Sequence, residues 1–447
     1  MRCADRAGAA LAVVTVAIVL ASCGGNSSVT TITGGDIAGG TAGTTVTLGT
    51  PTGPNTTEVV VDSGPASGFS LGAANIPYVT VTVCEPGSAT RCLTIDHVFL
   101  DTGSVGLRLL KSKVAGLNLP SVSVPADATT GTSAGRALEC YPFVLGAVWG
   151  PLASADLRIA GEVAPSLSVQ LIDDVAPMSD AAPAECVAAA NGGLQNSVSS
   201  LQANGLLGIG MLAYDCGLAC SRGDYSSGYT LYYSCPGAAG AVCAPAAIPS
   251  ALQTQNPVAH FAVNNNGTIL ALPALPDLGA GVAKGRLVFG IGTQSNNQIP
   301  PTATMIFVDA NPASASYLYF KTVTGTTTYL DSYIDSGSNA LFFEDATLPM
   351  GCQSSTAAAS GWYCPPAVLR RTATVSDGFG STATAVYSLA SADVLFGSAS
   401  VAFADLGGSA GQGASTFVWG LPFFYGRSVF TSIWGQALSP NGPWNAF

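Results

Sequence analysis

The sequence predicts an all-β fold organised as two related halves, and three observations lead to this prediction. The chain holds 53 glycines and 27 prolines together with abundant Thr, Ser and Val. This composition favours many short strands joined by tight turns. Short alternating or apolar runs recur along the chain, whereas helical periodicity is scarce. One short aspartate-containing segment also occurs twice, once in each half.

Several strands are predicted individually. Residues 76–83 alternate between apolar and polar side chains, residues 85–88 form a turn, and residues 93–100 run apolar into Asp101. Further strands are predicted at 157–159, 286–289 and 329–334. The segment 244–252 is one of the few helix candidates.

The N-terminus has the pattern of an export signal. Arg2 and Arg6 precede an apolar run over residues 7–21. The run ends in Leu-Ala-Ser-Cys, which resembles the lipobox of bacterial lipoproteins, and that resemblance implies cleavage after residue 22 and lipidation of Cys23. We therefore expect a signal peptide at 1–22 and an exported protein lipid-anchored in the cell envelope. Gly24 is not the aspartate of inner-membrane retention, so the outer membrane or periplasmic face is preferred. An ordinary signal with an incidental cysteine is the alternative.

Residues 23–68 are mainly Gly, Thr and Ser with few large apolar residues, which predicts a flexible tether between the membrane and the folded body. Beyond the N-terminus no apolar run reaches the 18 residues of a membrane-spanning helix, so we expect a soluble body. The formal net charge is −11. With so few Lys and Arg side chains to neutralise phosphates, the chain is not expected to bind nucleic acid.

Ten cysteines remain for the exported body, because Cys3 leaves with the signal and Cys23 carries the lipid. Nearness in sequence predicts four local disulfides and leaves one pair over, although connectivity cannot be deduced from sequence and each pairing is a hypothesis. The predicted pairs are Cys84–Cys92, Cys216–Cys220, Cys235–Cys243, Cys352–Cys364 and the remaining Cys140–Cys186. With two histidines and no Cys-x-x-Cys, we expect no metal site.

The repeated segment carries the chemistry. Residues 99–104 read Phe-Leu-Asp-Thr-Gly-Ser and residues 333–338 read Tyr-Ile-Asp-Ser-Gly-Ser, so Asp101 and Asp335 each follow an apolar strand. Two carboxyl groups a few ångströms apart cannot both ionise and therefore share one proton. Such a pair activates water with one carboxylate and protonates a peptide carbonyl with the other.

These motifs resemble those of pepsin-like aspartic proteases. Residues 204–210 (Asn-Gly-Leu-Leu-Gly-Ile-Gly) and 417–424 (Phe-Val-Trp-Gly-Leu-Pro-Phe-Phe) are similar to the apolar-Gly segments that follow each motif in that family. The resemblance covers about residue 76 to the C-terminus. It implies a bilobal pepsin-like double β-barrel with the cleft between the lobes. The N-terminal lobe would span 69–295, with a cysteine-rich insertion at 211–243, and the C-terminal lobe 296–447.

By this resemblance Asp101 and Asp335 bind and activate the catalytic water without a cofactor. In each loop the first hydroxyl residue would brace the two lobes, the glycine would donate its N–H to the carboxylates, and the serine would hydrogen-bond the outer oxygen. These supporting residues are Thr102, Gly103, Ser104, Ser336, Gly337 and Ser338.

Two departures from the family pattern concern the flap that closes over substrate. The family has a tyrosine in a Tyr-Gly-x-Gly setting, but here Pro142 follows Tyr141 and the glycines do not align, so Phe143 and Trp149 are further candidates. Arg108 stands where the family often has a tryptophan bonded to that tyrosine.

The leading hypothesis is a monomeric aspartic endopeptidase that hydrolyses peptide or protein substrates in the bacterial cell envelope. The alternative is a catalytically inactive pepsin-fold lipoprotein that binds peptide, glycan or envelope-protein ligands in the cleft.

Overall fold

The structure, a computed structural model, describes most of the chain from residue 44 onward. The described residues are 44–49, 52–65, 74–144, 146–176, 178, 180–189, 193–223, 231–237, 242–309, 311, 314, 317–350, 352, 361–409, 413–436 and 442–447. The predicted signal peptide, the lipidation residue Cys23 and the first part of the tether lie outside them. No helix within these ranges is both long enough and apolar enough to cross a membrane.

Short strands dominate, with brief helices between them. In the first half the strands are β1 Thr45–Thr47, β2 Thr56–Val61, β3 Pro77–Cys84, β4 Cys92–Asp101, β5 Val105–Leu110, β6 Ser123–Val124, β7 Gly135–Phe143, β8 Gly146–Ile159, β9 Glu162–Ile172, β10 Gly205–Ile209, β11 Tyr232–Cys235, β12 Ala244–Pro245, β13 Gly267–Ala271 and β14 Val282–Phe289. In the second half they are β15 Met305–Phe307, β16 Phe320–Thr324, β17 Thr327–Ile334, β18 Leu341–Phe343, β19 Leu369–Ser376, β20 Thr382–Leu389, β21 Gly407–Gly408, β22 Thr416–Trp419, β23 Ser428–Ser432 and β24 Trp444–Ala446. The α-helices are α1 Ala184–Ala189, α2 Val198–Leu201, α3 Leu218–Ser221 and α4 Ala392–Phe396, and 3₁₀ turns span Lys111–Val114, Ser250–Leu252, Pro257–His260 and Leu421–Phe424.

Six strands of the N-terminal lobe close into a barrel in the order β3-β4-β10-β5-β9-β8, with β8 pairing back to β3. Inward-facing apolar side chains such as Val79, Leu100, Leu107 and Leu207 fill this barrel and are essentially unexposed. Burial of these side chains is the main force that holds the strands together. Closure also leaves no free sheet edge within the barrel.

The C-terminal lobe is a curled sheet in the order β20-β19-β16-β17-β22-β18-β21. Its core is aromatic: the rings of Phe343 and Phe417 stack at 4.5 Å, and Trp419 packs against Phe417 at 4.4 Å. The strands β2-β14-β13-β23-β24-β15 continue the sheet of the barrel through the pairing of β2 with β3, and they come from both halves of the chain. The predicted fold class, an all-β bilobal pepsin-like double barrel, is confirmed.

The tether prediction is wrong for its last part, because β1 and β2 lie inside residues 23–68. β2 pairs with β14 from Thr56–Val288 to Val61–Ala283, and both Val59 and Val61 are completely buried. The residues 56–61 read Thr-Thr-Glu-Val-Val-Val, which has high strand propensity. Their partner strand β14 lies more than 200 residues away in the sequence. The glycine- and threonine-rich composition around residues 56–61 therefore suggested a tether rather than a strand.

The helix candidate at 244–252 is also wrong. The segment forms the two-residue strand β12 and the 3₁₀ turn Ser250–Leu252. Pro245 and Pro249 lack the N–H that an α-helix needs, and this prevents a regular helix.

All five predicted disulfides are present: Cys84–Cys92, Cys140–Cys186, Cys216–Cys220, Cys235–Cys243 and Cys352–Cys364. Four join cysteines within 12 residues of each other. The fifth, Cys140–Cys186, closes a separation of 46 residues and attaches β7 to α1.

Candidate active site between the lobes

The two motif aspartates occupy equivalent positions in the two lobes. Asp101 is the last residue of β4, and β10 runs parallel to that strand with Gly208 beside Asp101. Asp335 directly follows β17, and β22 runs parallel to that strand with Trp419 beside Ile334. In both lobes the apolar-Gly segment predicted from the sequence is therefore the strand next to the aspartate.

Each aspartate is held by two donors from its own loop. The Gly103 N–H donates to Asp101 Oδ1 at 2.7 Å, and Ser104 Oγ donates to Oδ2 at 2.5 Å. In the other lobe the Gly337 N–H donates to Asp335 Oδ1 at 2.7 Å, and Ser338 Oγ to Oδ2 at 2.6 Å. Charge-assisted hydrogen bonds of this kind fix the orientation of both carboxyl groups.

The two loops also hold each other. The Ser336 N–H donates to Thr102 Oγ1 at 2.9 Å, and the Thr102 N–H donates to Ser336 Oγ at 3.1 Å. Ser336 Oγ in turn donates to the Leu100 carbonyl at 2.9 Å. Both hydroxyl residues are at most 5% exposed. This reciprocal pair couples the two lobes directly beneath the aspartates.

The glycines allow the two carboxyl groups to approach each other. A Cβ atom added to Gly103 would lie 2.5 Å from Asp335 Oδ1, and one added to Gly337 would lie 2.5 Å from Asp101 Oδ1. Any side chain at either position would displace the opposite carboxyl group. The structure thus brings together all eight residues that the repeated motif predicted for this site.

Burial and the neighbouring carboxyl group together raise the pKa of Asp335 well above its ordinary value. Burial has the larger effect and the charge of Asp101 adds to it, while the donors Ser338 and Gly337 act in the opposite direction. The two carboxyl groups are close enough to hydrogen-bond. This arrangement favours one proton shared by the pair.

The hairpin β7–β8 takes the place of the flap, with its turn between Phe143 and Gly146. Tyr141 lies on one side of the hairpin, and its ring contacts Phe143 at 5.0 Å. Burial raises the pKa of Tyr141, and the charges of Asp215 and Asp101 add to that effect. Tyr141 shares its face of the hairpin with Val148, its partner in register.

Trp149, a further flap candidate, lies on the opposite face of the hairpin from Tyr141. Successive residues of a strand face opposite sides, so Trp149 points away from its neighbour Val148, which pairs with Tyr141. Trp149 is completely buried against Tyr233 at 5.4 Å, and its indole N–H donates to the Asp180 carbonyl at 2.9 Å.

Arg108 is completely buried between the flap and the barrel. Its Nη2 lies 2.6 Å from Glu139 Oε1 and 3.2 Å from Asp215 Oδ2, and its Nη1 donates to the Val105 carbonyl at 2.6 Å. The guanidinium carbon also lies 3.8 Å from the centroid of the Tyr141 ring. A cation–π contact therefore supports Tyr141 from the position at which the family often has a tryptophan.

Three members of this cluster were not predicted from the sequence: Glu139, Asp215 and Tyr232. The Tyr232 hydroxyl donates to Asp215 at 2.6 Å, and Thr254 Oγ1 donates to Glu139 Oε2 at 2.9 Å. Burial and the neighbouring Glu139 raise the pKa of Asp215 well above its ordinary value. This direction favours the protonated form of Asp215, which would reduce the negative charge beside the Arg108 guanidinium. The sequence signal was a charged Glu139 between Leu138 and Cys140 in an otherwise apolar run.

The cysteine-rich insertion extends the flap into a wider sheet. Its strand β11 pairs with β7, with Tyr232 opposite Glu139, and β12 adds a further strand. On the other edge the Gln195 N–H donates to the Ala147 carbonyl at 2.7 Å, which attaches β8 to the chain around Leu194. Cys140–Cys186 attaches the flap to α1. Tyr225 and Tyr229 of the insertion lie outside the described residues.

Two groups of described residues have the spacing of metal ligands: Asp180 with Cys235 and Cys243, and Asp393 with Cys352 and Cys364. In both groups the cysteines form a disulfide with each other. A disulfide sulfur is not the thiolate that binds metal, so neither group has a suitable ligand set.

Among solved structures, the chain is similar to the aspartic proteinase from Irpex lacteus. The two share 12% sequence identity with a TM-score of 0.41, and the match covers 88% of this chain and 96% of that one. No curated protein matches the sequence. A family described as protein of unknown function (DUF3443) matches residues 51–447, which include every residue of the site above. The chain belongs to this family.

Proposed function

We propose that this protein is an aspartic endopeptidase that hydrolyses peptide bonds with Asp101, Asp335 and a water molecule. The observation that supports this most directly is the mutual approach of the two carboxyl groups. Each carboxyl group is held by a glycine N–H and a serine hydroxyl of its own loop. A Cβ atom on the glycine of the opposite loop would lie 2.5 Å from one of its oxygens.

In this mechanism the ionised carboxylate of the pair takes a proton from water while the protonated carboxyl donates its proton to the oxygen of the substrate carbonyl. The water oxygen bonds to the carbonyl carbon and produces a tetrahedral diol. A carboxyl then protonates the amide nitrogen and the C–N bond breaks. As it breaks, one hydroxyl of the diol gives its proton to a carboxylate, so the pair regains its single shared proton. The raised pKa of Asp335 supports the role of proton donor for this carboxyl group.

The test is digestion of a mixed-sequence peptide library by the full-length chain, purified in detergent, between pH 3 and 7. Asp101→Asn and Asp335→Asn are each expected to abolish cleavage. Asp96→Asn is the matched control, because Asp96 lies on the same strand as Asp101 but is 68% exposed. Absence of cleavage by folded, fully disulfide-bonded protein at every pH would overturn the endopeptidase proposal.

A second candidate function is peptide binding in the cleft without hydrolysis. Pepsin-like proteases close a mobile flap over substrate. Here both edges of the flap are attached, through β11 and through residues 193–195, and this restriction favours binding without hydrolysis. Saturable binding of library peptides by wild-type protein that cleaves none of them would support this candidate. Cleavage by the wild-type protein of the peptides that it binds would exclude this second candidate.

We also propose that the protein is lipid-anchored in the cell envelope through Cys23. The lipobox-like sequence at residues 20–23 supports this proposal. Mass spectrometry of the mature N-terminus is expected to find a diacylated cysteine, and Cys23→Ala should release the protein from membranes. A mature N-terminus at any residue other than Cys23 would contradict the proposal.

A further inference from the structure

A cavity of about 370 Å³ lies on the sheet that draws strands from both halves of the chain. None of its lining residues belongs to the aspartate loops or to the flap. The volume is at the small end of the range for ligand sites in proteins. The cavity is therefore separate from the proposed active site, and the inference below does not depend on peptidase activity.

The cavity floor is one face of three adjacent antiparallel strands. Ile269 on β13 stands opposite Val288 on β14 and Phe430 on β23, so these three side chains form an apolar row across the sheet. Each is at most 5% exposed. Phe447 lines the cavity beside this row, and its ring packs on Phe423 at 4.9 Å. One part of the cavity is thus suited to a small apolar group.

The next row of the same face is polar. Ala271 stands opposite Arg286 and Ser428, two residues along each strand from the apolar row. Arg427, next to Ser428, also lines the cavity. Its guanidinium donates to the carbonyls of Phe423 and Val386, at 2.8 and 2.5 Å, and lies 4.6 Å from the Phe423 ring. Two cationic side chains therefore border the apolar floor.

Neither arginine forms an ion pair with an aspartate or glutamate of the described residues. The carboxylate nearest in register to Arg286 belongs to Glu58, and it pairs with Lys284 at 3.3 Å. Burial without a compensating anion lowers the pKa of Arg427. In a chain of net charge −11, acidic residues outnumber basic ones, yet neither of these two guanidinium groups has an ion pair among the described residues.

We infer that this cavity binds a small amphiphilic carboxylate. The apolar body of the ligand would lie against Phe447 and the edge of the buried row of Val288, Ile269 and Phe430, and its carboxylate would accept hydrogen bonds from Arg286 and Arg427. Arginine is suited to this role because its planar guanidinium donates two parallel hydrogen bonds to a carboxylate.

Isothermal titration of the full-length protein with octanoate tests the inference. We expect one saturable site per chain, with 1-octanol and acetate binding at least about tenfold more weakly because each lacks one half of the recognised chemistry. Arg286→Gln and Arg427→Gln should each weaken octanoate binding by about tenfold or more. Arg370→Gln, an exposed arginine outside the cavity, is the matched control and should leave binding unchanged.

Ala303→Phe is a second variant that keeps every charge. Ala303 lines the cavity, is half-buried and packs on the edge of the core cluster that contains Ile269, so a larger side chain there is expected to fill the cavity. It should abolish octanoate binding even if an arginine variant fails to fold. The inference is overturned if octanoate does not bind saturably, or if it binds Ala303→Phe and Arg286→Gln as tightly as the wild type.

Discussion

Replacement of Arg108 by methionine removes the only guanidinium that contacts the buried carboxyl groups of Glu139 and Asp215 among the described residues. All three side chains are unexposed, so water cannot replace the lost cation. Its raised pKa already favours the protonated form of Asp215. Without Arg108, Glu139 must also take up a proton, because the variant would otherwise fold with an unpaired buried charge.

The cost follows from that proton. In the unfolded chain a carboxyl group has a pKa near 4, so pH 7 lies about three units above it. Keeping the group protonated in the folded state at pH 7 costs about 1.4 kcal/mol for each of these units. Arg108→Met should therefore lower the free energy of unfolding by about 4 kcal/mol at pH 7. At pH 4.5 the same term falls below about 1 kcal/mol.

The assay is urea unfolding of wild type and variant at pH 7.0 and 4.5, followed by tryptophan fluorescence with disulfides intact. The double variant Arg108→Met/Glu139→Gln is the matched control. It contains one ionisable carboxyl that is already protonated, so its stability difference from wild type should not depend on pH. A loss under about 1 kcal/mol at pH 7, or an equal loss at both pH values, would refute the assignment of a charge-balanced cluster.

Two further predictions concern other buried groups. Ser336→Ala leaves the Thr102 N–H and the Leu100 carbonyl without their partner, so it should cost about 2–3 kcal/mol in urea unfolding and reduce peptide cleavage. Ser336→Thr keeps the hydroxyl, and an equal loss in both variants would contradict the hydrogen-bond argument. Burial beside Asp277 raises the pKa of Asp405 to about 6. Folded Asp405 then holds a proton that the unfolded chain releases above about pH 4, so stability falls as pH rises from about 4 to 6. Asp405→Asn should be about 2–3 kcal/mol more stable than wild type at pH 7.5 and equal to it at pH 4; equal thermal unfolding at both pH values would contradict this.

Much of the candidate site was predictable because its determinants are local. Asp101 and Asp335 each carry their own donors within three residues, so a short repeated motif contains nearly all of the geometry of each carboxyl group. Four of the five disulfides likewise join near neighbours in the chain. Cys140–Cys186 was predictable only as the pair that remained.

The surroundings of the site were not predictable, because they depend on residues distant in sequence. Arg108 was recognised as a departure from the family pattern, but its partner Asp215 lies 107 positions away and comes from the insertion. Strand alternation separates Tyr141 from Trp149, yet only the packed structure shows that Trp149 lies buried against Tyr233 and that Tyr141 lies over Arg108.

By itself, the sequence determined the all-β class and the two aspartate loops, since these follow from local composition and short motifs. It supported the four disulfides between neighbouring cysteines only as hypotheses. Only the tertiary structure decided that β1 and β2 join the folded body, that the insertion widens the flap, and that the Arg108 guanidinium lies over the Tyr141 ring. The physical reason is the same in each case. A strand edge or a buried charge is satisfied by whichever distant partner the fold brings within hydrogen-bond distance.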